Sequence, residues 1–145
     1  MPHTMTSKER VLTAVNHQEP DRVPVNYQAE EAIDRRLKDH FGLAHDDTEG
    51  LLRALDVDFR TVGAAYRGPR THTDIPERGV KVDLWGIHRR WIEHETGGYW
   101  DYCDFPLRNA TEEDIAAWPL PSPDSYDYSG VHDACMRYEG FAING

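Results

Sequence analysis

Four stretches of this 145-residue chain carry side chains able to do chemistry. Asp58 and Arg60 stand two apart in Asp58-Phe59-Arg60-Thr61-Val62-Gly63, a run that reads as a strand, so they share one face. A carboxylate at a strand mouth with a cation to orient it is an acid–base arrangement, but the same two residues also make an ordinary ion pair at a sheet end. Asn26-Tyr27-Gln28 offers two amides and a phenol that could orient a polar substrate; as packing, Tyr27 is a core aromatic with its hydroxyl bonded. Tyr66 and Arg67 follow the Asp58 run. Arg70, Arg89 and Arg90 lie among Trp85, Trp91 and Trp100, a mixture able to grip a carboxylate or the face of a planar ring, or to form a lid or an interface.

Other chemistries find less support. The eight histidines supply no paired cluster at zinc spacing; His72-Thr73-Asp74 and His132-Asp133-Ala134-Cys135 are isolated, so no metal site is assigned. There is no Gly-rich phosphate loop and no Gly-x-Ser-x-Gly turn. A net charge of −10 argues against nucleic-acid and anionic-membrane partners, which need a basic face. Cys103 and Cys135 suggest reduced thiols rather than a disulfide framework. No signal peptide and no apolar run long enough for a membrane span is read, so a cytoplasmic location is expected.

The elements that must position these groups are legible from local pattern. Thr6-Ser7-Lys8-Glu9 is a capping box opening a helix to about His17, with Val11, Leu12 and Val15 inside. Arg22–Tyr27 reads as a short buried strand, weakened by Pro24. Residues 29–43 form the clearest helix, with Ala29, Ile33, Leu37 and Phe41 on one face, Glu31–Arg35 and Asp34–Lys38 as i,i+4 pairs, and Gly42 at its end. Asp46 or Asp47 caps a helix that buries Leu51, Leu52 and Leu55. Residues 79–105 predict a β-meander with a hairpin turn at Gly97-Gly98. Thr111–Asp114 caps a short helix ending at Trp118-Pro119; Leu120–Pro123 is extended; Ser129 caps a last helix; and Phe141-Ala142-Ile143 begins another apolar strand. Helix–strand alternation implies a parallel sheet. About three such strands are encoded, too few for a barrel of roughly 250 residues.

Two segments carry a resemblance. Thr6 to Val25, with its His17-Gln18-Glu19-Pro20-Asp21-Arg22-Val23-Pro24 loop, resembles the opening of uroporphyrinogen decarboxylase-like proteins. Asp83-Leu84-Trp85-Gly86-Ile87-His88-Arg89-Arg90 with Gly97-Gly98-Tyr99-Trp100 is similar to a Trp-Gly hairpin in the methyltransferase-like branch of that superfamily. The resemblance implies an α/β chain forming the N-terminal portion of a (β/α)8 barrel over residues 1–145, with an inserted hairpin at 79–105. It implies decarboxylation of a tetrapyrrole's acetate groups, or zinc-dependent methyl transfer involving a corrinoid protein. The arginines that bind substrate carboxylates in true uroporphyrinogen decarboxylases are missing from Asn26-Tyr27-Gln28-Ala29-Glu30-Glu31, which favours methyl transfer on a small molecule. The zinc ligands of that branch, a His-x-Cys pair and a later Cys, would lie beyond residue 145.

Barrel enzymes place working groups at the C-terminal ends of strands. That nominates Asp58 and Tyr27 as catalytic and Asn26, Gln28, Arg60, Tyr66 and Arg67 as substrate-binding, with Thr61 beside them. Trp85, Arg89, Arg90 and Trp100 are assigned to a lid or a homodimer contact. Alternatives are a uroporphyrinogen decarboxylase and an inert or interaction module.

Overall fold

A computed structural model describes residues 4–95 and 97–145. Its helices are α1 (Ser7–Val15), α2 (Glu31–His40), α3 (Thr48–Ala54), α4 (Glu112–Ala116) and α5 (Val131–Arg137). Its strands are β1 (Phe59–Thr61), β2 (Ala65–Tyr66), β3 (Val80–Val82), β4 (His88–His94), β5 (Gly97–Tyr102), β6 (Tyr126–Asp127) and β7 (Ala142–Asn144). The described residues make a mixed α/β fold with three small sheets and no closed barrel. The chain divides into two units, Met1–Ala64 with Tyr128–Gly145, and Ala65–Asp127.

In the first unit, α1 opens on the predicted capping box: the Thr6 hydroxyl accepts from Glu9 N, and Glu9 accepts from Thr6 N. Its buried residues are Arg10 and Val11, whereas Leu12 and Val15 are exposed. The expected apolar face is thus rotated, because two carboxylates draw Arg10 inward. Both i,i+4 pairs of α2 form, Glu31–Arg35 at 2.6 Å and Asp34–Lys38 at 2.7 Å. Gly42 follows the helix at φ +66°, the left-handed turn that glycine adopts without penalty. Yet Ile33 and Phe41 of the expected core face are exposed, and Lys38 is buried, its ammonium donating to the His45 carbonyl. Asp47 caps α3 through Gly50 N, and Leu51 is fully buried.

The strand expected over Arg22–Tyr27 does not form. Pro24 has no N–H for a ladder, and Val25 N turns to a side chain, Asp58 Oδ2. One backbone bond, Asp58 N to Val25 O at 2.9 Å, keeps the segment beside β1. β1 pairs in parallel with β7, in register Phe59↔Ala142, Arg60↔Ile143 and Thr61↔Asn144. The last helix, α5, starts after Gly130 rather than on a Ser129 cap.

The second unit holds the antiparallel sheet β3-β4-β5, with Val80 and Val82 buried on one face. Its ends are joined by β2 and β6, whose Tyr66 and Tyr126 rings meet edge to face at 5.1 Å. The hairpin expected over 79–105 therefore lies inside a larger unit. Gly97 and Gly98 are strand residues rather than the turn, for Gly97 pairs with His94 and Gly98 with Glu93. Gly98 is needed for close approach: a Cβ there would stand 2.4 Å from Trp91 Cζ2. α4 carries a second capping box, Thr111 with Asp114.

Candidate functional site

Asp58 is fully buried immediately before β1. Its Oδ1 accepts from Arg10 Nη1 at 2.6 Å and Arg22 Nη2 at 3.0 Å; its Oδ2 accepts from Arg22 Nη1 at 2.7 Å and Val25 N at 2.8 Å. Burial pushes this carboxyl up, but the Val25 amide, the Ser7 side chain and the Arg22 and Arg10 guanidiniums outweigh it, and the group is held below its ordinary range. Asp58 is thus a carboxylate already taken up by the protein's own donors, which argues against an acid–base role. Arg10 in turn holds Asp21 through Nε at 2.6 Å and Nη2 at 3.0 Å, and Asp21 accepts from Thr4 N and Met5 N.

Asp58 and Arg60 do not serve each other, either as a working pair or as an ion pair. Arg60, also buried, forks onto Glu49 at 2.8 and 3.1 Å, and its Nη1 donates to the carbonyls of Val57 and Phe59. Its guanidinium lies 3.8 Å from the centre of the Phe141 ring. Four of the five N–H donors of Arg60 are engaged by the protein, so it positions Glu49 and β1 rather than reaching for an anion.

Four nominated residues, Arg60 among them, do converge. Asn26, Tyr27 and Thr61 line one cleft of about 300 Å³ with Glu49, Arg60 and Tyr138, all within the first unit. The cleft lies where the Val25 segment and β1 end, which is where an α/β sheet presents its working side chains. The Tyr27 hydroxyl donates to Asp34 at 3.1 Å; burial first, then Asp34, pushes its ionisation up, so it remains a neutral phenol. The Thr61 hydroxyl donates to Asn144 Oδ1 at 2.9 Å, tying the ends of β1 and β7. Gln28 is exposed and does not line the cleft.

No family model, curated protein or solved structure matches this chain. The site therefore rests on its own geometry.

The remaining nominated residues belong to the Ala65–Asp127 unit. The Tyr66 hydroxyl donates to the Pro69 carbonyl at 2.9 Å, and Arg67 is largely exposed, 3.9 Å from Asp127. Arg89 pairs with Asp83 at 2.7 Å and lies over the Tyr102 ring; Lys81 lies over Trp100, which meets Trp91 edge to face. These side chains share one face of the sheet by register, so two cation–π pairs, Lys81 with Trp100 and Arg89 with Tyr102, stand side by side. Arg90 is on the opposite face by alternation, and exposed. Trp85 lines a second concavity in this unit.

The groups that sequence reasoning passed over are Arg10, Asp21, Arg22 and Glu49. The first three lie inside the segment that carries the family resemblance, so the Pro-Asp-Arg loop was visible as a motif. Its purpose was not, because the buried partner is Asp58, 36 positions from Arg22. Among the described residues no group of three His, Cys, Asp or Glu gathers as a metal site, and none of the 145 residues forms a His-x-Cys pair.

Proposed function

We propose that this chain is the opening part of a uroporphyrinogen decarboxylase-like (β/α)8 enzyme that, at full length, transfers a methyl group between a small molecule and a corrinoid partner. The observation that carries this reading is the convergence of Asn26, Tyr27 and Thr61 in one cleft at the ends of neighbouring chain segments. Their order fits the first strands of a parallel barrel: the Val25 segment bonds Asp58 N, and β1 pairs in parallel with β7.

The cleft chemistry favours methyl transfer over porphyrinogen decarboxylation. A polycarboxylate needs free guanidiniums, and Arg60, the cation lining this cleft, is already forked onto Glu49. What remains is neutral and polar: the Asn26 amide, the Tyr27 phenol and the Thr61 hydroxyl orient an uncharged substrate by hydrogen bonds. The zinc set of the methyltransferase branch has no counterpart in these residues, and no step is assigned through it. No helix among the described residues is long and apolar enough to cross a membrane.

The test is an assay of the full reading frame that contains this chain, with methylcobalamin as methyl donor and a thiol as acceptor. Asn26→Ala is expected to lower turnover at least about tenfold, the worth of one well-placed hydrogen bond to a reacting substrate, without lowering the melting temperature. Turnover of a porphyrinogen with no corrinoid demethylation would overturn the reading.

A further inference from the structure

We propose that the concavity at the start of β4, within the Ala65–Asp127 unit, binds a small planar aromatic anion of one or two fused rings bearing a carboxylate. Its volume is about 430 Å³, inside the usual small-molecule range of roughly 300–1,000 Å³. The proposal does not rest on the methyl-transfer reading.

Four aromatic side chains, Trp85, Tyr102, Phe105 and Trp118, line it. Trp85, Tyr102 and Phe105 are 51%, 59% and 53% exposed, so large ring surfaces stand in water around one hollow. Rings of that kind offer faces and edges to a flat ligand. The hollow is preformed on both sides. Gly86, at φ +80°, lets the Trp118 indole close in, since a Cβ there would stand 2.4 Å from Trp118 Cζ2. Trp118 is fixed by its Nε1 donating to the Trp85 carbonyl and by stacking on His72. Opposite, Asp104 and Phe105 both hold positive φ, +63° and +45°, which side chains of their kind rarely adopt. Asp104 is held there by Arg78 at 2.6 Å and by His88 Nδ1 at 3.1 Å.

That anchoring also decides the charge of the ligand. The Asp104 carboxylate is met by Arg78 and His88 and is held below its ordinary range, His88 contributing most. Arg108 lies with its guanidinium 4.8 Å from the centre of the Phe105 ring and, among the described residues, has no carboxylate partner. Among the described residues Arg108 is thus the cation of the hollow that lacks a carboxylate, and an anion complements it.

The test is titration calorimetry on the 145-residue chain with three probes of one shape: 2-naphthoate, 2-naphthamide and 2-naphthylmethylamine. Naphthoate is expected to saturate and to bind at least about tenfold more tightly than the amine. Arg108→Ala, an exposed position, is expected to weaken naphthoate about tenfold and leave the amide unchanged, while Arg35→Ala on α2 alters neither. Indole N–H resonances of Trp85 and Trp118 should shift on binding. No saturation by naphthoate at millimolar concentration, equal binding of naphthoate and amine, an Arg108→Ala protein with unchanged naphthoate affinity, or shifts confined to Trp91 and Trp100 would each overturn the proposal.

Discussion

Arg10 of α1 and Asp58 at the entrance to β1 are joined by a 2.6 Å ion pair between side chains that are 2% and 0% exposed. Two such charges leave water only when the remaining donors and lone pairs are also met, as they are here by Asp21, Met5 O, Arg22 and Val25 N. The pair ties the first helix to the first strand across 48 positions of chain.

Removing one partner of this pair strands the other. Arg10→Ala is expected to lower the stability of the chain by about 3–5 kcal/mol, read as a shift of the denaturation midpoint. Asp58→Asn keeps the shape but loses the charge that faces two guanidiniums, and should fall in the same range. A replacement of Arg10 that left the midpoint unchanged would remove the clamp from the account of the fold.

The same network sets an acid limit. Asp58 and Asp21 are both held below the ordinary carboxylate range, Asp21 mainly by the Arg10 guanidinium. A group depressed in the folded state contributes stability that is complete above the unfolded pKa, about 4 for aspartate, and is lost as pH falls through the lower folded value. Denaturation midpoints are therefore expected to be level from pH 7 to about 5 and to decline below about 4. Asp58→Asn should flatten that decline, and an unchanged slope would show that other carboxylates govern it.

Arg60 is held by shape as much as by charge. Lysine at this position keeps the charge but cannot fork onto Glu49, reach the Val57 and Phe59 carbonyls and stack on Phe141 together. Arg60→Lys is expected to cost about 2 kcal/mol. A double-mutant cycle with Phe141→Leu should then show coupling. A full-strength lysine variant would mean that the fork and the stack contribute little.

The local parts of this protein are written in short stretches of sequence. Both capping boxes, the Glu31–Arg35 and Asp34–Lys38 pairs and the alternation of Val80 and Val82 depend on residues within four positions of one another. Each is specified by backbone geometry that neighbours alone impose. The register at Gly97 and Gly98 was not legible, because the approach of the Trp91 ring, and not turn chemistry, makes use of the glycine at 98.

What only the tertiary structure decided is which charge meets which. The chain offers 26 acidic and 16 basic residues, and Asp58 with Arg60 looked like a pair because they are neighbours on one strand. Folding gave Asp58 to Arg10 and Arg22, and Arg60 to Glu49, because a buried charge takes the partner that fills its hydrogen bonds in the dry interior, however distant in sequence. The capped helix starts and the i,i+4 pairs follow from local spacing; the ion-pair network around Asp58, the cleft and the aromatic hollow follow from long-range packing, to which sequence separation is no guide.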